Sequence, residues 1–330
     1  MPRALKGLWV TALLLCAIAI GAGIGLYSPA LGAHLSAGID PTLVMLLGLL
    51  FFEVRFQAIG AAFANLRFIG IAWVANFLIV PLIGYALASL FLSGQPLLYT
   101  GLMLYFLAPC TDWFLGFTRM ARGDTALGAA LLPINMITQL MLYPVWLFVL
   151  TRSTGVVELA TISEVLLQWF LVPFIAAQVA RVALGRALPN ALFDRLRNGV
   201  GVAIPVMTAA LILQIFATNA STIADHADAF SLIVVAVFLF FATTFLVGES
   251  LTRLFALDYP QHALLAITTA ARNAPLMLAL TTVAIPGQPL VYAALVIGML
   301  VEFPHLTALK HILITQFVRR KQPNEAEQST

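Results

Sequence analysis

The stretch Leu102-Met-Leu-Tyr-Phe-Leu-Ala-Pro109-Cys110-Thr111-Asp112-Trp113-Phe114 sets a proline, a thiol, a hydroxyl and a carboxylate inside an apolar run. A second stretch, Ala266-Ile-Thr-Thr-Ala-Ala-Arg272-Asn273-Ala-Pro275-Leu-Met-Leu, sets a guanidinium and an amide just before its proline. Proline inside a helix removes a backbone donor and clashes one turn back. At membrane depth such a break is tolerated only where it is buried in protein or lines a cavity. Both stretches therefore predict helices broken at an interior site.

The flanking sequence supplies the membrane setting. Of 330 residues, 62% are apolar and 9% are Asp, Glu, Lys or Arg, against about a quarter charged in an ordinary soluble domain. A water-soluble fold is excluded. Apolar runs bounded by charge, Pro, Gly or Asn predict ten helices, near 8–28, 39–54, 68–92, 97–118, 125–150, 160–184, 198–218, 229–248, 260–284 and 288–317. The run at 39–54 is short for a crossing and is closed by Glu53 and Arg55, so it can sit untilted or partly in the interface. Barrel strands would show alternating segments about ten residues long, and the sequence shows none. The predicted fold is an all-α integral membrane bundle.

With the N-terminus inside, every Lys and Arg except Arg152 and the intramembrane Arg272 falls on the inner side, as retention of positive charge in the cytoplasm requires. Both termini are therefore predicted cytoplasmic, in a cell (inner) membrane. The opening Met1-Pro-Arg-Ala-Leu-Lys6 has the layout of a secretory signal, but the apolar run of about 20 residues exceeds a usual signal core of about 7 to 15. That helix is read as retained. The polar residues 319–330 predict a disordered cytoplasmic tail. The net charge of +3 comes from basic residues scattered among short loops, so no nucleic-acid partner is expected. Cys16 and Cys110 both lie in apolar runs and the five His show no paired spacing, so neither a disulfide framework, nor a metal site, nor a cofactor is expected. Cys16 is read as a packing residue and Arg122-Gly-Asp124 as a turn.

The ten helices divide into a first repeat, 1–152, and a second, 153–318. Because five is odd, the second half enters from the opposite side. That 5+5 inverted repeat places binding sites near mid-bilayer where discontinuous helices meet, and the broken helices are the fourth and ninth. At about 1.5 Å per residue, Asp112 lies about 22 Å from the outer end of its helix and Arg272 about 18 Å from the inner end of its own. An unpaired charge at that depth costs about 2.5 to 3.5 kcal/mol or more, so Asp112 and Arg272 are expected to face each other. A static ion pair holding the two helices remains open beside a functional one. Cys110, Thr111 and Asn273 adjoin these charges. Asn135, with Gln139 one turn on, can line the same cavity or make interhelical contacts. Glu302, in Val301-Glu-Phe-Pro304 of the last helix, either carries a proton or cation or hydrogen-bonds around the Pro304 kink.

Ala108-Pro-Cys-Thr111, Ala121-Arg-Gly-Asp124 and Asn135, at their spacing, resemble the fourth-to-fifth-helix signature of the arsenical-resistance permeases that expel arsenite, and Val301-Glu-Phe-Pro304 is similar to that family's last-helix motif. The resemblance spans nearly the whole chain. It implies membership of the larger group that contains the bile acid:sodium symporters, with ten helices of which the fourth and ninth are broken and crossed. It also implies that Cys110 handles arsenite, and thiolates do prefer soft partners. The ninth helix departs from the pattern: the family has an acid a few residues after Asn, in a Ser-Asn-x-x-Glu-like stretch, and Arg272-Asn-Ala-Pro-Leu-Met277 has none. Arg272 replaces a small polar residue, and Asp112 stands where the family has a small one. If the missing acid is the family's proton-coupling group, that function is absent here or has moved to Asp112.

The expected function is export of arsenite or a related trivalent metalloid oxyacid by proton-coupled alternating access. Cys110, Thr111, Asn135 and Asn273 are the substrate-binding candidates. Asp112, Arg272 and Glu302 are candidates for ion coupling or a charge pair, and Pro109 and Pro275 mark the helix breaks. A sodium-coupled symporter for bile-acid-like organic anions is the alternative, with Arg272 attracting a carboxylate or sulfonate. A receptor or scaffold clamped by Asp112 and Arg272 is a third reading. An enzyme is not expected, since the sequence offers no Ser and His pair, no paired aspartates on facing spans and no metal-ligand cluster.

Overall fold

The computed structural model describes residues 4–54, 65–111, 113–151 and 171–327. These form helices α1 (Ala4–Tyr27), α2 (Pro29–Ser36), α3 (Ile39–Glu53), α4 (Leu66–Leu92), α5 (Pro96–Leu107), α6 (Trp113–Met120), α7 (Thr125–Thr151), α8 (Val172–Ala187), α9 (Asn190–Ala224), α10 (Ala227–Leu254), α11 (Tyr259–Ala270), α12 (Ala274–Ala284) and α13 (Pro289–Glu327). Six of the described helices, α1, α4, α7, α9, α10 and α13, are long and apolar enough to cross a membrane. A seventh span arises if α2 and α3, which meet at 48°, count as one. That bent pair explains the shortness of the run at 39–54: Pro29 starts an extra helix, in the first turn where a missing N–H costs nothing.

The layering follows from which helices are apolar on every face. Such helices belong at the centre of a bundle, and α11 is buried from His262 to Ala270, α12 along its length except at Val283, and α5 from Leu98 to Leu107 except at Tyr99. Around them α1, α4 and α10 turn apolar side chains outward, among them Leu15, Leu82 and Phe238, the surface a lipid environment accepts. Two glycines set close approaches. A Cβ at Gly101 of α5 would lie 2.3 Å from the Val291 carbonyl oxygen of α13, and one at Gly25 of α1 would lie 2.5 Å from that of Ala217 in α9. Packing through small residues is the way helices approach closely without water to drive them together.

Three boundaries differ from the sequence reading. Helix α13 runs to Glu327, through residues predicted to form a disordered tail: Arg319, Arg320, Lys321 and Gln322 extend a nucleated helix at little cost, while Pro323 within it forfeits one N–H. Helix α9 outruns the predicted 198–218 at both ends and is kinked at Asn219 (φ −126°, ψ 25°). The span predicted at 160–184 falls within the described residues only from Leu171. Between α6 and α7 the turn at Arg122 has φ 59°, and the Asp124 carboxylate caps α7 by accepting from the backbone N–H groups of Ala126 and Leu127.

Candidate functional site

Helix α5 ends at Leu107 because Ala108 turns extended (φ −108°, ψ 104°), as the residue before a proline prefers. Helix α11 ends at Ala270, and Ala271 is likewise extended (φ −73°, ψ 133°). The two extended stretches lie side by side as one antiparallel bridge with Pro109 opposite Arg272. The Cys110 N–H donates to the Ala271 carbonyl at 3.0 Å, and the Asn273 N–H donates to the Ala108 carbonyl at 2.8 Å. Pro109 thus occupies the pair position that asks no N–H of it. Pro275 lies in the first turn of α12, where its missing N–H is also free of cost. Each proline breaks its helix without stranding a hydrogen bond.

This bridge brings three of the expected substrate-binding residues together. Cys110 is fully buried, with its main chain pinned to Ala271. The Asn273 amide donates to the Thr111 hydroxyl at 2.9 Å, while Asn273 Oδ1 has no partner among the described residues. Asn135, also fully buried, has no described partner at either amide atom. Gln139, one turn along the same face of α7, donates to Met136 Sδ and lines a narrow gap with Leu107, Ala108 and Met277. A buried polar atom left unpaired is costly, so Asn273 Oδ1 at the bridge and the Asn135 amide on α7 hold hydrogen-bonding capacity in reserve. Asp112 lies outside the described residues, and with it the expected pairing to Arg272.

Arg272 is fully buried and folds back over both broken helix ends. Its Nη1 donates to the Phe106 carbonyl at 3.0 Å, and its Nη2 donates to the carbonyls of Thr268 (2.9 Å) and Thr269 (2.8 Å) and to Asn76 Oδ1 (3.4 Å). The guanidinium also lies 5.7 Å from the centre of the Phe240 ring. These carbonyls belong to the last turns of α5 and α11, which have no helical partners of their own. Asn76 is supplied by a π-turn at Ala75–Ile79 in α4, a widening common at functional sites. Glu302 sits at the same junction, where its carboxylate accepts from the Arg272 backbone N–H at 2.9 Å and from the Tyr105 hydroxyl at 3.3 Å. It is therefore bonded across the crossing, a contact that neither a Pro304 kink nor sequence spacing suggests.

A cavity of about 170 Å³ lies beside Trp113, between Glu53, Gly201 and Ile204. Volume per water in the liquid is about 30 Å³, so it has room for a small hydrated solute close to the break. One other reading is corrected. Cys16 faces outward rather than into the core. His262, assigned no chemistry from sequence, is buried between Glu249 (3.1 Å), Thr252 (2.8 Å) and Gln316 (3.1 Å), tying α11 to α10 and α13. Asn76, Thr268, Thr269 and Tyr105 escaped the sequence reading as well. A lone amide in the apolar run 68–92 was the available signal for Asn76. Among the described residues no group of three or more His, Cys, Asp or Glu is placed to hold a metal ion.

The model of the Sodium Bile acid symporter family matches residues 41–226, more than half of the chain. The chain is also 24% identical over 327 residues to the "Arsenical-resistance protein Acr3" of Corynebacterium glutamicum, an alignment covering 93% of this chain and 87% of that protein.

Proposed function

Since the chain belongs to the sodium bile acid symporter family and is a multi-pass membrane transporter, we propose that it exports arsenite or a related trivalent metalloid oxyacid. The observation that carries this reading is the buried Cys110 thiol, held by the main-chain bridge next to Thr111 and Asn273. Arsenous acid is small, neutral and bears three hydroxyls around a thiophilic centre. The Cys110 thiol would displace one hydroxyl, which leaves as water with the thiol proton, to form one As–S bond that hydrolysis reverses on release, while Thr111, Asn135 and Asn273 hydrogen-bond the two remaining hydroxyls. The similarity to an arsenical-resistance protein supports this assignment of substrate.

The proposed architecture is a ten-helix 5+5 inverted repeat, residues 1–152 and 153–318, in the cell membrane with both termini in the cytoplasm. The pairs α5 with α6 and α11 with α12 form its crossed fourth and ninth spans. Alternating access then amounts to rocking of the crossed core against the outer helices, carrying Cys110 from one side to the other. Asp112, next to Thr111, exchanges the coupling proton.

Flux into inverted vesicles tests the reading. Arsenite is expected to accumulate when the vesicle interior is acid, and replacing choline by sodium outside should leave the rate unchanged. The alternative reading, sodium-coupled transport of an organic anion, draws on the family's name. Sodium-dependent uptake of taurocholate that arsenite does not affect would replace the proposed function with that one.

A further inference from the structure

We propose that the Arg272 guanidinium is a built-in cation, filling the place at the crossed helix ends that a soluble monovalent ion would otherwise take. The inference rests on the transporter reading for its consequence, that no sodium is carried at the crossing, but the geometry stands apart from any choice of substrate.

The acceptors around the guanidinium are those of an alkali-ion site. Among the described residues, three are main-chain carbonyls, of Phe106, Thr268 and Thr269, and the fourth is the amide oxygen of Asn76. All are neutral oxygens, and they come from both broken helices and a third helix. In transporters with discontinuous helices, such half-helix C-termini and unwound carbonyls coordinate sodium or protons, since carbonyl oxygens can replace an ion's hydration shell. The charges match also. Helix C-termini favour a cation, and the Glu302 carboxylate lies at the same junction, accepting from the Arg272 backbone N–H. Asn76 is oriented for this role: its amide nitrogen donates to Thr268 Oγ1 at 3.2 Å, which turns its oxygen to Arg272. The Phe240 ring face adds a cation-π contact and shields the site.

A tethered cation differs from a diffusible one in two ways. It loses no translational freedom on binding, so these acceptors are occupied at all times. It also cannot leave on the far side, so the crossing yields no work from a sodium gradient.

Thermal unfolding of the purified protein, without substrate, reads this directly in sodium chloride and choline chloride of equal ionic strength. The wild type is expected to melt at the same temperature in both. Arg272→Ala should be less stable in choline and regain about 4 °C in sodium, the size of shift a bound ion confers at some tenfold excess over its dissociation constant. Arg272→Lys, which keeps the charge, should ignore the change of salt. Sodium-specific stabilisation of the wild type would overturn the proposal, as would a folded Arg272→Ala protein indifferent to the salt. Should Arg272→Ala not be recovered folded in either salt, Arg272→Gln is judged by the same criterion. Because no arsenite is present, these outcomes do not depend on whether arsenite is the substrate.

Discussion

Replacing Cys110 by serine is expected to cut arsenite export at least about tenfold, a loss of about 1.4 kcal/mol, and to raise arsenite in expressing cells to the level seen without the transporter. The substitution isolates one property. The hydrogen bond that pins residue 110 runs from its backbone N–H to Ala271, so serine keeps the bridge, and its side chain is nearly the size of cysteine's. What changes is the donor atom, from a soft sulfur suited to arsenic to a hard oxygen. Cys16 provides the control: it faces outward from α1, and Cys16→Ser should export as the wild type does. Unchanged export in Cys110→Ser would remove the thiol from the mechanism.

The second large effect is on stability. Glu302→Ala leaves the Arg272 backbone N–H and the Tyr105 hydroxyl without their described acceptor in a fully buried junction. Each such orphan costs about 1–3 kcal/mol, so a loss of about 3 kcal/mol and a fall in melting temperature of roughly 5–10 °C are expected in detergent. Glu302→Gln retains an oxygen that can accept from the Arg272 N–H and should recover more than half of that fall. Equal melting temperatures for Glu302→Ala and the wild type would show that the carboxylate does not hold the crossing together.

The helix breaks could be read from Pro109 and Pro275 because proline acts locally, through its missing N–H and its ring, and the helices stop at Leu107 and Ala270. The surroundings of Arg272 could not. A count of charged side chains supplies Asp112 and Glu302 as partners at that depth, yet the described hydrogen-bond partners of the guanidinium are three backbone carbonyls and the Asn76 amide oxygen. Main-chain oxygens are the same at every residue, so no sequence pattern marks the few that a helix end sets free. Asn76 and Tyr105 belong to the same class of difficulty: each is one polar group in an apolar run, and its partner is decided by which helices cross. The limits of α9 and α13 depend in turn on packing and on the low cost of extending a helix, whereas an apolar window reports only where the bilayer-compatible part ends.

The central claim is that the crossing presents one thiol to the metalloid. The chain has two cysteines, and Cys16 lies on the outer surface of α1, so arsenic K-edge X-ray absorption on the arsenite-loaded protein can assign the ligand. The account predicts one sulfur and otherwise oxygen around arsenic in the wild type and in Cys16→Ser, and oxygen alone in Cys110→Ser. An all-oxygen shell in the wild type, or a sulfur that persists when Cys110 is replaced, would contradict it.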